Sequence, residues 1–277
     1  MDPSTARSDD RRAAIAARLR AAGCVFAERE ADLLLETSDT PAELERMLAS
    51  RIEGRPLEQV VGWASFLGLR VGVTPGVFVP RRRTELLVRE AAALARPGAV
   101  VVDLCCGSGA VGLAIATAVP AIRLWAVDVD PVAVRCARDN LPADAEVARG
   151  DLLQALPPDL QGWVDLVAVN APYVPTAAIA LLPREARLHE PVVALDGGSD
   201  GLDVQRRVLA EVGDWLAPGG AIAIETSRDQ VGRTVDLVQR RGLWTRVVTS
   251  DELEATVVVG ERLAVGESPG ARRSDAT

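Results

Sequence analysis

The stretch WVDLVAVNAPYVPT, residues 163–176, ends an apolar run on Asn-Ala-Pro-Tyr. Two hydrogen-bond acceptors meet there: the side-chain oxygen of Asn170 and the backbone carbonyl of Ala171. Together they suit the two N–H hydrogens of a planar amide or amino group. The lone pair of such a nitrogen is delocalised, so a displacement at that atom depends on gripping and orienting it. Pro172 stiffens the turn, and Tyr173, the chain's only tyrosine, can stack on a flat acceptor. Holding such a group beside its reaction partner is a proximity effect. An isolated Asn-x-Pro-Tyr reads more simply as a strand-ending turn with a core tyrosine. What precedes it along the chain favours function.

A second constellation is VVDLCCGSGAVG, residues 101–112. Gly107, Gly109 and Gly112 satisfy G-x-G-x-x-G after an apolar run and before a helical pattern. Asp128 follows about 20 residues on, where a ribose-binding acid belongs. Dinucleotide and S-adenosylmethionine enzymes share this logic. A pyrophosphate would sit on the helix N-terminus. The carboxylate of Asp103, just before the loop, would crowd it, yet suits an ammonium or sulfonium group. The methyl donor is therefore favoured, with the loop Cys105, Cys106, Gly107, Ser108 and Gly109 against it. Nicotinamide redox chemistry accounts for neither Asp103 nor Asn170.

The elements that position these residues follow from periodicity. From Arg11 to Arg51, apolar residues recur at three- and four-residue spacing, giving a small helical domain assigned to residues 1–53. Residues 1 to about 10 read as frayed. Asp39 or Thr40, before Pro41, marks a helix start. Short β-like runs broken by Gly and Pro give a β-hairpin linker at 54–83. From residue 84 to 265, near-continuous apolar strands alternate with helices. That pattern means an α/β, Rossmann-like fold: a mostly parallel sheet covered on both faces, with an antiparallel last strand. Asn170 then leaves the fourth strand beside the cofactor crevice. Thr84 reads as an N-cap with Glu85 behind it. The tail 266–277 reads as disordered.

Composition bounds the function. The chain has 277 residues, 48% of them hydrophobic, and a net charge of −8. All 31 basic residues are arginine. The acidic balance disfavours nucleic acid as the main partner. Four cysteines without a CxxC pair and one histidine, His189, lack metal-ligand spacing, so no metal site is expected. No secretory signal or membrane-spanning run is apparent. A cytoplasmic monomer is expected.

With these motifs in order, residues 11–260 resemble the HemK/PrmC group of protein-glutamine methyltransferases, class I enzymes with a seven-stranded sheet. The resemblance rests on the N-terminal helices, GRPLEQVVGWASFLGLRVGVTPGVFVPR, DLCCGSGAVGLAIA, AVDVDPVAVRCARDN, GDLL, NAPY and HEPVVALDGGSDGLD. It implies methylation of a glutamine amide in the GGQ motif of a peptide chain release factor or in a ribosomal protein. The cofactor implied is S-adenosyl-L-methionine. Asp128 would take the ribose hydroxyls, Asp151 and Leu152 would lie by the adenine, and Asn170 to Tyr173 would clamp the acceptor. HEPVVALDGG would be structural, which leaves His189 a poor base. The N-terminal helices would dock the substrate.

The chain departs from the group's pattern at three places. Ala171 stands for a second proline, Cys105 and Cys106 for Gly and Thr, and Arg82 for the proline of PRPxTE. These mark a divergent, PrmC-related branch with NAPY in place of NPPY. Arg81, Arg82 and Arg83 read either as a solvated turn or as a docking point for an acidic segment or RNA; Arg83 often faces an acid in the group. Two other functions share these motifs: an amino methyltransferase on adenine in nucleic acid, and a non-catalytic S-adenosylmethionine-binding protein.

Overall fold

The computed structural model describes residues 3–263. The tail expected to be disordered lies outside the described residues. Four helices open the chain: α1 (Pro3–Ala21), α2 (Ala27–Thr37), α3 (Pro41–Ile52) and α4 (Leu57–Val61). The stretch expected to fray is helical from Pro3. A proline is well tolerated in a first turn, where its missing N–H has no intrahelical partner. Thr40 is the cap of α3: its hydroxyl accepts from Glu43 N at 3.2 Å, and Glu43 reaches back to Asp39 N at 3.0 Å. The apolar faces close on Ile15, Leu19, Ala31, Leu34, Leu48 and Val61. That core runs past residue 53 and takes in α4.

A largely covered cation fixes this helical unit. The Arg51 guanidinium holds Glu30 at 2.7 and 3.2 Å, the Arg55 carbonyl at 2.9 Å, and Glu185, far along the chain, at 3.1 Å. A hairpin of β1 (Trp63–Phe66) and β2 (Leu69–Gly72) follows. Asn140 clasps it: its oxygen accepts from Gly72 N and its nitrogen donates to Gly72 O, each at 2.8 Å.

The remainder alternates as the apolar runs imply. In order come α5 (Glu85–Leu94), β3 (Val100–Leu104), α6 (Ala110–Ala118), β4 (Arg123–Asp128), α7 (Pro131–Asn140), β5 (Glu146–Arg149) and β6 (Val164–Val169). After a long connection carrying α8 (Arg184–His189) come α9 (Asp203–Trp215), β7 (Leu216–Thr226), α10 (Val231–Gln239), β8 (Trp244–Ser250) and β9 (Ala255–Glu261). The seven-stranded sheet has the order β5-β4-β3-β6-β7-β9-β8. Only β9 runs antiparallel to its neighbours. Along β3, Val101 packs into the core on one face of the sheet, and Val100, Val102 and Leu104 into the core on the other. All five residues of the strand are buried. Each such aliphatic side chain contributes about 1.5–3 kcal/mol, which explains why this strand is apolar on both faces.

Strand order reverses between β3 and β6. Chains of this topology leave a crevice at the carboxyl ends of those two strands. Both motifs lie there.

Candidate active site

A cavity of about 830 Å³ opens at this point. It is lined by Asp103, Cys105 to Ser108, Asp128, Asp151, Leu152 and all of Asn170 to Tyr173. Sequence spacing and strand order thus bring together nearly every residue expected at the site. Gly109 lies beneath the lining, under the loop. With φ of +79°, it lets the chain enter α6, and a Cβ there would stand 3.1 Å from Leu141 and 3.3 Å from the Ala137 backbone.

Each acid is held by backbone. Asp103, only 1% exposed, accepts from Gly112 N at 2.8 Å. A Cβ at Gly112 would come within 3.1 Å of that carboxylate, so glycine permits the approach. Burial pushes the Asp103 carboxyl up to about 7, with the bond from Gly112 pulling down and the charge of Asp128 pushing up. Asp128 ends β4 and accepts from Gly107 N and Asp130 N, both at 2.9 Å. Burial raises it too, against those two bonds. Asp130 caps α7 by accepting from Val132 N at 2.7 Å. Asp151 is paired with Arg207, which also lines the cavity.

Cys105 takes φ of +56°, a left-handed conformation that costs a side-chain-bearing residue about 1–2 kcal/mol. Burial holds both loop thiols well above the ordinary cysteine range, so they stay protonated.

On the other wall, Val169 pairs with Leu104 across the sheet, so Asn170 emerges next to the glycine loop. Its Nδ2 donates to the Thr84 hydroxyl at 3.2 Å. Ala171 is buried in the core beneath. Tyr173 donates to Glu225 at 3.4 Å, and the Arg83 guanidinium lies 5.7 Å from the ring centre. Burial pushes the tyrosine hydroxyl up to about 12, so it remains a donor. The following residues are splinted by HEPVVALDGG: Val174 N donates to Leu195 O and Gly197 N to Val174 O, at 3.0 and 2.9 Å. His189 is not among the cavity-lining residues.

Several expectations change here. Thr84 makes no capping bond; a short 3₁₀ turn at Arg82–Thr84 puts it in helical conformation and frees its hydroxyl for Asn170. The arginine cluster is not a free basic patch. Arg81 pairs with the buried Glu190 at 2.6 Å, Arg82 with Glu252 at 2.7 Å and Arg83 with the buried Glu225 at 3.6 Å. Glu225 and Arg207 are not singled out in the sequence reading, and Glu190 figures there only as part of the structural stretch HEPVVALDGG. Glu225 was the most findable: like Asp103 and Asp128, it is an acid at the carboxyl end of a strand.

The donor set fits a cofactor that is cationic at one end and carries a diol. Two carboxylates flank the loop, and no arginine lies on it to meet a pyrophosphate. Among the described residues there is no cluster of metal ligands and no helix long and apolar enough to cross a membrane.

Comparison with known proteins agrees with this geometry. Residues 68–184 match the methyltransferase small domain. Over 248 residues the chain is 38% identical to the release factor glutamine methyltransferase of Mycolicibacterium smegmatis, covering 86% of each chain. The chain belongs to the release factor glutamine methyltransferase family. Relatives of this family member extend further: it is 35% identical over 235 residues to the 4-amino-L-phenylalanine/4-methylamino-L-phenylalanine methyltransferase of Streptomyces pristinaespiralis, covering 82% of this chain and 80% of that one. A methyltransferase structure from Pyrococcus furiosus matches the fold with a TM-score of 0.52 at 15% identity, covering 71% of this chain and 90% of that one.

Proposed function

We propose that this chain methylates a glutamine side-chain amide nitrogen in a protein, most simply a peptide chain release factor, using S-adenosyl-L-methionine. One observation carries the reading. Asn170 spends its amide nitrogen on Thr84, which leaves its oxygen to accept N–H from an incoming amide beside the glycine loop.

The cofactor supplies an electrophilic methyl group on a sulfonium. Asp103 attracts its ammonium end, Asp128 takes the ribose hydroxyls, and Asp151 and Leu152 flank the adenine. The loop from Cys105 to Gly109 lies along it. Asn170 Oδ1 and the Ala171 carbonyl hold the two amide hydrogens of the acceptor, Pro172 stiffens their spacing, and Tyr173 supports the flat group. Catalysis is then mostly positioning.

The surroundings support a macromolecular acceptor. Between β6 and α9 the connection that supplies part of the cavity lining exposes Leu181, Leu188, Val192 and Val193, and Val193 itself lines the cavity. Exposed apolar groups around a catalytic mouth suit a protein surface. The helical unit α1–α4, tied to α8 through Arg51 and Glu185, docks that substrate beside that mouth.

The test is transfer of labelled methyl to a purified release factor, its GGQ→GGA variant, a ribosomal fraction, DNA and 4-amino-phenylalanine. Label in the release factor, absent from the GGA variant, supports the reading. Label confined to DNA or to the arylamine overturns it.

A further inference from the structure

The clamp residues leave β6 with little to hold them from within. Of Asn170, Ala171 and Pro172, only the proline has a ring that fixes φ. The sheet secures the near end, where Val169 pairs with Leu104 on one side and Ile224 on the other. The far end is Tyr173, and its carbonyl is held by a side chain outside the cavity lining. Gln230, 4% exposed at the N-cap of α10, donates through Nε2 to Tyr173 O at 2.9 Å and to Asp200 O at 3.0 Å. Its Oε1 accepts from the Ser227 hydroxyl at 2.8 Å.

This amide uses its nitrogen and its oxygen, and in one direction only. Carbonyl oxygens accept and cannot donate, so the pair facing Gln230 requires its NH₂. Turning the amide over would set its oxygen against both carbonyls. The neighbouring chain leaves room for the bond. Gly201 has φ of +77°, and a Cβ there would stand 2.2 Å from Gln230 Nε2 and 2.3 Å from Tyr173 O. Only a glycine at that position lets the two meet. The same corner of the chain holds the other end of the tyrosine, whose hydroxyl donates to Glu225 near the end of β7.

We propose that Gln230 is a positioning residue for methyl transfer: by tying Tyr173 to the loop 196–201, it fixes where the turn from Asn170 presents its acceptor-binding oxygens. This rests on the function proposed above and deepens it. Gln230 acts through the Tyr173 backbone. Losing its bond lets the far end of the turn swing, and the Asn170 oxygen and the Ala171 carbonyl move with it.

The test compares Gln230→Met and Gln230→Glu with the unaltered protein. Methionine keeps the length but offers no N–H; glutamate keeps the shape and offers one donor at most. Calorimetry gives cofactor affinity and, from its stoichiometry, the folded fraction. The kcat for the release factor is then counted per cofactor-binding site, so that lost fold is not scored as lost catalysis. Gln230→Met is expected to lower this kcat by roughly 10- to 100-fold, the larger figure being the cost of a misplacement of about 1 Å. Gln230→Glu lowers it too, and cofactor affinity stays unchanged in both. In a Tyr173→Ala background, the further loss from Gln230→Met is much smaller than in the unaltered protein. An unaltered kcat per site in Gln230→Met, or the same fold-loss in both backgrounds, overturns the proposal. Should Gln230→Met not fold, Gln230→Glu carries the same comparisons. A second readout needs no acceptor. Backbone hydrogen exchange, followed by mass spectrometry, should quicken in the variant over residues 173–176 and 198–202, the two segments that Gln230 joins. Equal exchange in both proteins also overturns the proposal. Quickened exchange in a protein that labels no glutamine upholds the tie and refutes the assigned acceptor instead.

Discussion

Asp103 and Asp128 stand near the ends of the adjacent parallel strands β3 and β4, on either side of the glycine loop, and the charge of Asp128 makes Asp103 harder to ionise. The arrangement is costly without a cation nearby. Asp103 is the worse placed, being fully buried with one backbone bond.

The pH dependence follows from that cost. The Asp103 carboxyl moves from an ordinary 3.8 in the unfolded chain to about 7 in the folded one. Between those values the folded state holds the extra proton, so its contribution to stability is complete below 3.8 and is lost as pH rises through 7. A cationic cofactor end reverses the preference and expels the proton. Cofactor affinity should therefore strengthen as pH rises from 6 to 8, and calorimetry in buffers of different ionisation enthalpy should register proton release near pH 6.5. Affinity that is flat across this range would remove Asp103 from the cofactor site.

Asp103→Asn separates the two effects. The amide oxygen can still accept from Gly112 N, but the buried charge is gone. Thermal unfolding above pH 7 without cofactor should shift upward. Affinity for S-adenosylmethionine should fall about tenfold, the loss of one favourable charge interaction.

Asn170→Ala should reduce methyl transfer by roughly 100-fold or more. The residue is only partly buried, at a strand end, so the unfolding midpoint and cofactor affinity should change little. Transfer at the unaltered rate in this variant would refute the clamp.

The buried Arg51–Glu30 pair predicts a stability effect remote from the cavity. Arg51→Met leaves the Glu30 carboxylate buried without its partner, and breaking such a pair costs about 3–5 kcal/mol. Urea unfolding reads this directly. Removing the exposed Arg82–Glu252 pair should cost less than about 1 kcal/mol.

Burial pushes all four cysteine thiols upward, with no cation strong enough to reverse it. Iodoacetamide at pH 8 should label the folded protein far more slowly than the same chain in urea, as mass spectrometry would show. Rapid native alkylation at Cys105 would mean that the loop opens.

The parts legible in the sequence were those governed by local pattern. Apolar runs gave the strands, glycine spacing gave the loop, and strand order then put Asn170 beside it. Thr84 was misread because a threonine before a glutamate is an ordinary helix start, and nothing local announces that a 3₁₀ turn will redirect its hydroxyl. For the arginine cluster, the solvated turn and an acid facing Arg83 both hold, while the particular partners are invisible for the same reason: Glu190, Glu225 and Glu252 lie more than a hundred residues away along the chain and meet it only in the fold. Cys105 offered a clue. A residue standing where the related pattern has glycine retains the glycine-like backbone, and it is the conformation rather than the residue type that the loop requires.

Arg51 has a further consequence through its third partner, Glu185, which lies on the helix beside the cavity mouth. Turning the helical unit away from the sheet would strip a desolvated cation of a counter-charge, so the gap between helices and mouth is of set length. The molecule is in that sense a caliper. On the function proposed above, it would measure on a protein partner the span between a surface gripped by the helices and a projecting amide, and a flexible peptide with the right residue at the wrong reach would pass unread.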